Sequence, residues 1–209
     1  MKPRIVGITG LARSGKDTVT NLILKVGGYY RVSLADELKK EIAQIFPTVE
    51  YPFDWLNVAF RDNGEIYYPN DTKDPEKLAI RRRLWQLWGT EGRRALFSDF
   101  WIWRWAGRAM KALVAGWPGV VVADVRFLNE AKYIHDLGGM IVATDRGDYR
   151  APGVDYTHAS EREIPEIVRQ YASIVVPNKG TYEEFVFEVE KCSSIILGEQ
   201  TSMRFPAAS

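Results

Sequence analysis

The chain has 209 residues, 46% hydrophobic and 26% charged, with 28 Lys and Arg against 27 Asp and Glu for a net charge of +1. That balance can fill the core of one domain, with or without a sizeable insertion, and it removes any global charge argument for nucleic-acid or membrane binding. The single cysteine, Cys192, excludes an internal disulfide and a multi-cysteine metal site. No apolar run approaches the ~18 residues of a membrane span and the chain runs directly into a strand, so a cytoplasmic protein is expected.

Arg4–Thr9 is apolar and β-branched and predicts a buried strand. It leads into Gly10-Leu11-Ala12-Arg13-Ser14-Gly15-Lys16-Asp17-Thr18. Beyond that turn, Val19, Leu22, Ile23 and Val26 keep the spacing of an amphipathic helix. A Gly-x-x-x-x-Gly-Lys turn between strand and helix is the setting of a phosphate cradle. Gly10 and Gly15 let the backbone curl so that successive N–H groups converge on phosphate oxygens, and Lys16 adds a full charge. Ser or Thr usually follows that lysine and ligates Mg²⁺; here Asp17 does, with Thr18 one step later. Asp17 either ligates the metal, directly or through water, or is a favourable acid in the first helical turn.

Gly27-Gly28 stops this helix, and Tyr29–Leu34 reads as a second strand. A helix opens at Ala35 with Leu38, Ile42, Ile45 and Phe46 on its apolar face. From Pro47 to Asp74 periodicity disappears, as in a functional loop or lid. Asp74-Pro75-Glu76 starts a helix that runs through Arg81-Arg82-Arg83, read as a solvated face, and stops near Gly89. Ser98-Asp99 caps the next, which carries Trp101, Trp105, Ala109 and Leu113 and closes at Gly116-Trp117-Pro118. Val120–Ala123 is a central parallel strand ending in Asp124. A helix with Phe127, Ala131 and Ile134 inward then breaks at Gly138-Gly139, and Met140–Thr144 is the next strand. Asp145–Ala159 is polar and reads as a mobile loop. Ser160 with Glu163 forms a candidate capping box, limited by Pro165. Ser173–Val176 is the last strand, Asn178-Lys179-Gly180 a turn, and Thr181–Glu184 a capping box opening the final helix. The tail from Gly198 is expected to fray. Strands alternating with helices predict a three-layer α/β fold, a doubly wound parallel sheet with ligands at the carboxyl ends of its strands.

At the end of the third of these strands, Asp124 is placed to hold Mg²⁺ through water, to activate an acceptor hydroxyl, or merely to cap the following helix or pair with Arg126. Arg126 either forks onto an anionic substrate or pairs on the surface. A GTPase switch is disfavoured: Asp124-Val125-Arg126-Phe127 lacks its glycine and Asn178-Lys179-Gly180-Thr181 the aspartate that reads guanine. Trp85, Trp88, Trp101 and Trp105 are expected in the core, although one of them, or Tyr51, Phe53 or Trp55, is a candidate to stack on a base.

Gly10–Thr18, Ala35–Lys39, Gln86–Arg93, Asp124–Ala131, His158–Glu161 and Asn178–Gly180 occur in an order that resembles the deoxynucleoside monophosphate kinases of tailed bacteriophages, within the nucleoside-monophosphate-kinase branch of P-loop proteins. The resemblance implies one kinase domain over 1–197, with a helical acceptor-binding insertion at 35–118, a lid at 145–160 and a tail at 198–209. It implies ATP and Mg²⁺ at the loop, a deoxynucleotide in the cleft and the host cytoplasm as location if phage-encoded. Lys16, Asp124, Arg126 and Arg146 are then the catalytic candidates, with Asp17 and Asp124 toward the metal. ATP would meet Gly10, Ala12, Arg13, Ser14, Gly15, Lys16, Asp17, Thr18, Asn178 and Gly180. The acceptor would meet Asp36, Lys39, Gln86, Thr90, Glu91, Arg93, Arg126, Arg150, His158 and Glu161, with His158 bonding nucleotide or organising the lid. Small nucleotides are the expected partners, with neither membrane nor stable nucleic-acid binding, and the aromatic-rich 85–105 region is a candidate homodimer interface. Two alternatives stay open: a P-loop kinase of another acceptor, such as dephospho-coenzyme A or a hydroxymethylated base in DNA, and a non-catalytic ATP-binding regulator.

Overall fold

The computed structural model describes residues 4–45, 59–60, 66–67, 85–152 and 154–197. Its centre is β1 (Ile5–Thr9), with β5 (Val120–Val125) on one side and β6 (Met140–Asp145) on the other. β2 (Tyr30–Ser33) and β7 (Ala172–Pro177) form the edges, so the order is β2-β5-β1-β6-β7 with every pairing parallel. Strands of a parallel sheet are covered on both faces, which is why Val120, Val121 and Val122 can all be apolar and fully buried. The pleat divides them. Val120 and Val122 enter one core with Trp101, Trp105, Ile134 and Ile167, while Val121 enters the other with Val19, Ile23, Phe185 and Val189.

Helices α1 (Lys16–Gly27) and α7 (Tyr182–Leu197) supply the second core; α3 (Phe100–Val114), α4 (Leu128–Asp136) and α6 (Ile164–Tyr171) supply the first. α2 (Leu34–Ile45) packs on α3 through its apolar stripe, with Ile42 fully buried. The result is the expected three-layer α/β fold, a doubly wound parallel sheet. Because β5 and β6 flank β1, the chain turns to opposite sides there, and a crevice opens beyond the carboxyl end of β1. Among the described residues no helix is long and apolar enough to cross a membrane.

Four expectations need correcting. The helix expected to stop near Gly89 continues as a π-helix, Leu87–Arg94, marked by the i→i+5 bond from Ala95 N–H to Thr90 O. Gly89 lies inside this turn, where its Cα packs against Leu38 so closely that a Cβ would come within 3.0 Å of Cδ2, and its carbonyl accepts from the Trp101 indole at 3.0 Å. The 47–74 stretch, expected to lack elements, holds a small antiparallel pair, β3 (Ala59–Phe60) with β4 (Ile66–Tyr67); Tyr51, Phe53 and Trp55 lie outside the described residues, as do Arg81-Arg82-Arg83 and the tail. Asp99 stands at the N-cap of α3 without a capping bond, since its Oδ1 accepts instead from Asn129 Nδ2 at 2.6 Å. Finally, Ser160 does not cap: the short α5 (Ala159–Arg162) starts one step earlier, with His158 Nδ1 accepting from Ser160 N at 3.2 Å. Pro165 does not limit a helix either. It sits in the first turn of α6, where a missing N–H costs nothing.

Candidate active site

The turn after β1 has the shape its glycines foretold. Gly10, Arg13 and Gly15 all have positive φ, at 144°, 60° and 104°. A Cβ on Gly15 would lie 2.5 Å from the Phe185 ring, so the turn is pressed against α7 and tolerates no side chain there. Three polar contacts from two distant segments pin it. Ser14 Oγ meets Thr144 Oγ1 at 2.5 Å, Asn178 Nδ2 donates to Ser14 O at 2.9 Å, and Arg146 donates to Arg13 O at 3.1 Å. Together they hold a concave run of backbone at the N-terminus of α1, a ready anion site.

Lys16 folds back over this run, its Nζ donating to Gly10 O at 2.8 Å and Leu11 O at 2.9 Å and standing 3.7 Å from Asp124. Burial, reinforced by the Arg126 charge, pushes its ammonium down to about 8, against the opposing pull of Asp124, Glu161 and Asp17. Asp124, the penultimate residue of β5, has a left-handed φ of 67°, unusual for a residue with a Cβ, and accepts from Arg126 Nε at 2.9 Å. Burial would raise its carboxyl, but Arg126 and Lys16 outweigh it and hold the group well below the ordinary range. Arg126 also donates to Glu161, a buried carboxylate on α5 that accepts the Ala12 N–H at 3.0 Å.

A cavity of about 190 Å³ opens beside this cluster, between α2, the π-helix and the corner joining β5 to α4. Five of the expected acceptor residues line it: Lys39, Gln86, Thr90, Arg126 and Glu161, together with Asp124. Trp85 forms part of the wall, with the Lys39 ammonium 5.0 Å from its ring centre. Other expected residues stand elsewhere. Asp36 pairs with Arg31 at 3.0 Å, and Arg93 forks onto Glu41 at 3.0 and 2.9 Å. Glu91 is exposed, His158 caps α5, and Arg150 is exposed and donates to Tyr149 O at 3.0 Å.

Two lining residues escaped the sequence reading, Arg94 and Glu130. Glu130 accepts from the backbone N–H of Arg126 at 2.9 Å and of Phe127 at 3.2 Å, and pairs with Arg94 at 3.2 Å. Burial pushes its carboxyl up to about 7, against Arg94 and those two backbone donors. The one available signal was its place at the third position of α4, where a glutamate reaches back to the helix start.

A second cleft, of about 450 Å³, lies at the other side of the phosphate-binding turn, lined by Arg146, Gly147, Asp148, Tyr149, Asn178, Lys179 and Gly180. Asn178, Gly180 and Arg146 are therefore brought together, with the Arg146 guanidinium 4.0 Å from the Tyr149 ring centre. Asp17 is exposed at the start of α1. Among the described residues no cluster of three or more His, Cys, Asp or Glu could cage a metal. The carboxylates fit a cation that takes one or two protein ligands and completes its shell with phosphate and water, as Mg²⁺ does.

No family model matches the chain. It is 30% identical over 207 residues to a protein of Acanthamoeba polyphaga mimivirus named "Putative deoxynucleotide monophosphate kinase", covering 90% of this chain and 95% of that one. That relative comes from a giant virus, not from a bacteriophage. The chain is also 31% identical over 96 residues to the dephospho-CoA kinase of Borreliella burgdorferi, 39% of this chain and 47% of the relative. Among solved structures, the dephospho-CoA kinase from Campylobacter jejuni aligns with a TM-score of 0.49 at 14% identity, over 93% of this chain and 98% of that one. The shikimate kinase from Aquifex aeolicus aligns with a TM-score of 0.47 at 16% identity, over 93% and 99%.

Proposed function

The chain belongs to the P-loop nucleotide-kinase family of that mimivirus protein, and on this premise we propose that it transfers the γ-phosphoryl group of ATP to a deoxynucleoside monophosphate, giving ADP and the diphosphate. The observation that carries the reading is the meeting of cavity and phosphate loop at one charged cluster: Asp124, Arg126 and Glu161 line the cavity, while Lys16 and the Ala12 N–H contact them from the loop.

In this reading the triphosphate lies along the Gly10–Thr18 backbone and the nucleoside of ATP takes the cleft beside Arg146, Asn178 and Gly180. The acceptor occupies the cavity, with the flat Trp85 ring and the Gln86 amide toward its base. Phosphoryl transfer demands alignment and neutralisation of spreading charge more than covalent help. Lys16 supplies that charge by exchanging the carbonyls of Gly10 and Leu11 for phosphate oxygens, and Arg126 supplies it from the acceptor side. Asp124, anionic at every working pH, and Asp17 are the residues that would hold Mg²⁺, which when bound neutralises the β- and γ-phosphate oxygens. The segment 145–160 acts as the lid. Arg146 already touches the loop at Arg13 O, and closure over the γ-phosphate would exclude the water that otherwise hydrolyses ATP. Leu96, Phe97 and Trp103, exposed on the surface, mark the face on which two copies would pair.

A coupled assay for ADP, run with each of the four common deoxynucleoside monophosphates, with dephospho-coenzyme A and with no acceptor, tests the reading. ADP release that depends on a deoxynucleotide supports it. Release with dephospho-coenzyme A alone favours the other kinase reading, to which the Borreliella similarity points, and ATP binding without turnover in any arm favours a regulator.

A further inference from the structure

The cavity wall carries Lys39, Arg94 and Arg126, and these cations are not equally free. Arg126 is held between two carboxylates, Asp124 and Glu161. Lys39 lies over the Trp85 ring. Arg94 meets one carboxylate, donating to Glu130 at 3.2 Å, and one neutral partner, donating to Asn129 Oδ1 at 2.8 Å. Its guanidinium stacks 3.7 Å from the centre of the Phe127 ring, and its side chain is only 10% exposed. A guanidinium has five N–H donors, so those beyond the two bonds have no partner among the described residues.

The neighbouring Arg93 spends the same number of donors but stands elsewhere. Its Nε and Nη2 donate to Glu41, its guanidinium lies 5.2 Å from the Trp88 ring centre and 5.4 Å from that of Phe100, and it does not line the cavity. Adjacent arginines leave the π-helix in different directions, Arg93 toward Glu41 on α2 and Arg94 toward the β5–α4 corner at the cavity wall. Such wide turns recur at functional sites. A rigid, desolvated fork with unspent donors at a cavity wall suits a phosphate, whose oxygens accept and never donate.

We propose that Arg94, presented by the π-helix and clamped by Glu130, Asn129 and Phe127, is the anchor for the phosphate of the acceptor. This rests on the deoxynucleoside monophosphate kinase reading and specifies where its second substrate is gripped.

Calorimetric titration of Arg94→Met and Arg94→Lys tests the assignment, using whichever of the four common deoxynucleoside monophosphates binds the wild type most tightly, and the matching deoxynucleoside. Arg94→Lys keeps a charge and an apolar stem over Phe127, so it guards against loss of folding. The monophosphate should bind about ten- to a hundredfold more weakly to Arg94→Met, the worth of a charged hydrogen bond, and less weakly to Arg94→Lys. The deoxynucleoside should bind all three proteins alike, and the KM for ATP should not move. Unchanged monophosphate binding in the folded variants, or a parallel loss of the deoxynucleoside, overturns the assignment and leaves the kinase reading intact. Wild-type protein that binds none of the four monophosphates overturns both.

Discussion

Glu130 offers a test of how charge is balanced in the acceptor cavity, through Glu130→Gln. Its carboxyl is pushed up to about 7 from an ordinary 4.5. The native state therefore keeps a proton that the unfolded chain releases between those values. With more protons bound in the native state, unfolding free energy falls as pH rises, by about 1.4 kcal/mol per pH unit. The contribution is complete below pH 4.5, declines across 4.5 to 7 and is level above, a total on the order of 3 kcal/mol. Glutamine at 130 does not titrate. Urea unfolding of both proteins at several pH values between 4.5 and 8 should show wild-type stability falling relative to the variant through that window and running parallel to it beyond. The slope is the readout, since the amide also faces Arg94 with a donor and shifts the absolute stability. Parallel curves throughout would refute the reasoning. They would mean that Arg94 and the two backbone N–H groups stabilise the carboxylate more than burial penalises it.

Lys16 is pushed down to about 8, so its charge fades above that pH, and kcat/KM for ATP should fall on the alkaline side; a profile flat to about pH 10, the ordinary lysine range, would show that burial does not govern it. Gly15→Ala forces a Cβ against Phe185 at a φ of 104°, and should cost about 1–3 kcal/mol in thermal unfolding with a loss of ATP-induced stabilisation. Phe185 is itself a buried core side chain, so Phe185→Ala carries its own cost of about 3–5 kcal/mol, and relief of the collision should appear as a double variant less destabilised than the sum of the two single changes. Asp124→Asn should lower kcat far more than ATP affinity, checked by steady-state rates beside ATP titration; equal losses would make Asp124 a structural partner of Arg126.

What was legible in the sequence was local. Gly10, Gly15 and Lys16 declare their role by spacing, because the turn is made by consecutive residues and its conformational demands are written in them. Val120–Ala123 followed by Asp124 announces a central strand and a strand-end carboxylate for the same reason. The cavity beside Asp124 was half legible: Lys39, Gln86, Thr90, Arg126 and Glu161 lay in recognisable stretches, but only the fold brings α2, the π-helix and the β5–α4 corner together around it. Within the π turn, Gly89 meets Leu38 and Trp101, from other helices. A reading that stops the helix at Gly89 has no means of separating Arg93 from Arg94. Glu161 was expected at the cavity, but its bond to Ala12, 149 residues away, was not legible. Helix α6 was lost for a simpler cause, since Pro165 was read as a brake where it stands in the first turn.

The contacts around the phosphate loop close on themselves. From the Ala12 N–H they pass to Glu161, to Arg126, to Asp124, to Lys16, and return to the carbonyls of Gly10 and Leu11. The charged members are two cations and two anions, and none has a neighbour in the ring of its own sign. A neutral substitution at one position therefore strands its partner: without Glu161, Arg126 loses half its compensation and Ala12 keeps a buried donor with nothing to receive it. Such a set cannot drift one residue at a time. In the evolutionary record of this family Glu161 and Arg126 should be retained together or replaced together, and lineages that changed one alone should be rare, however freely the exposed charges at Arg146, Asp148 and Arg150 have varied.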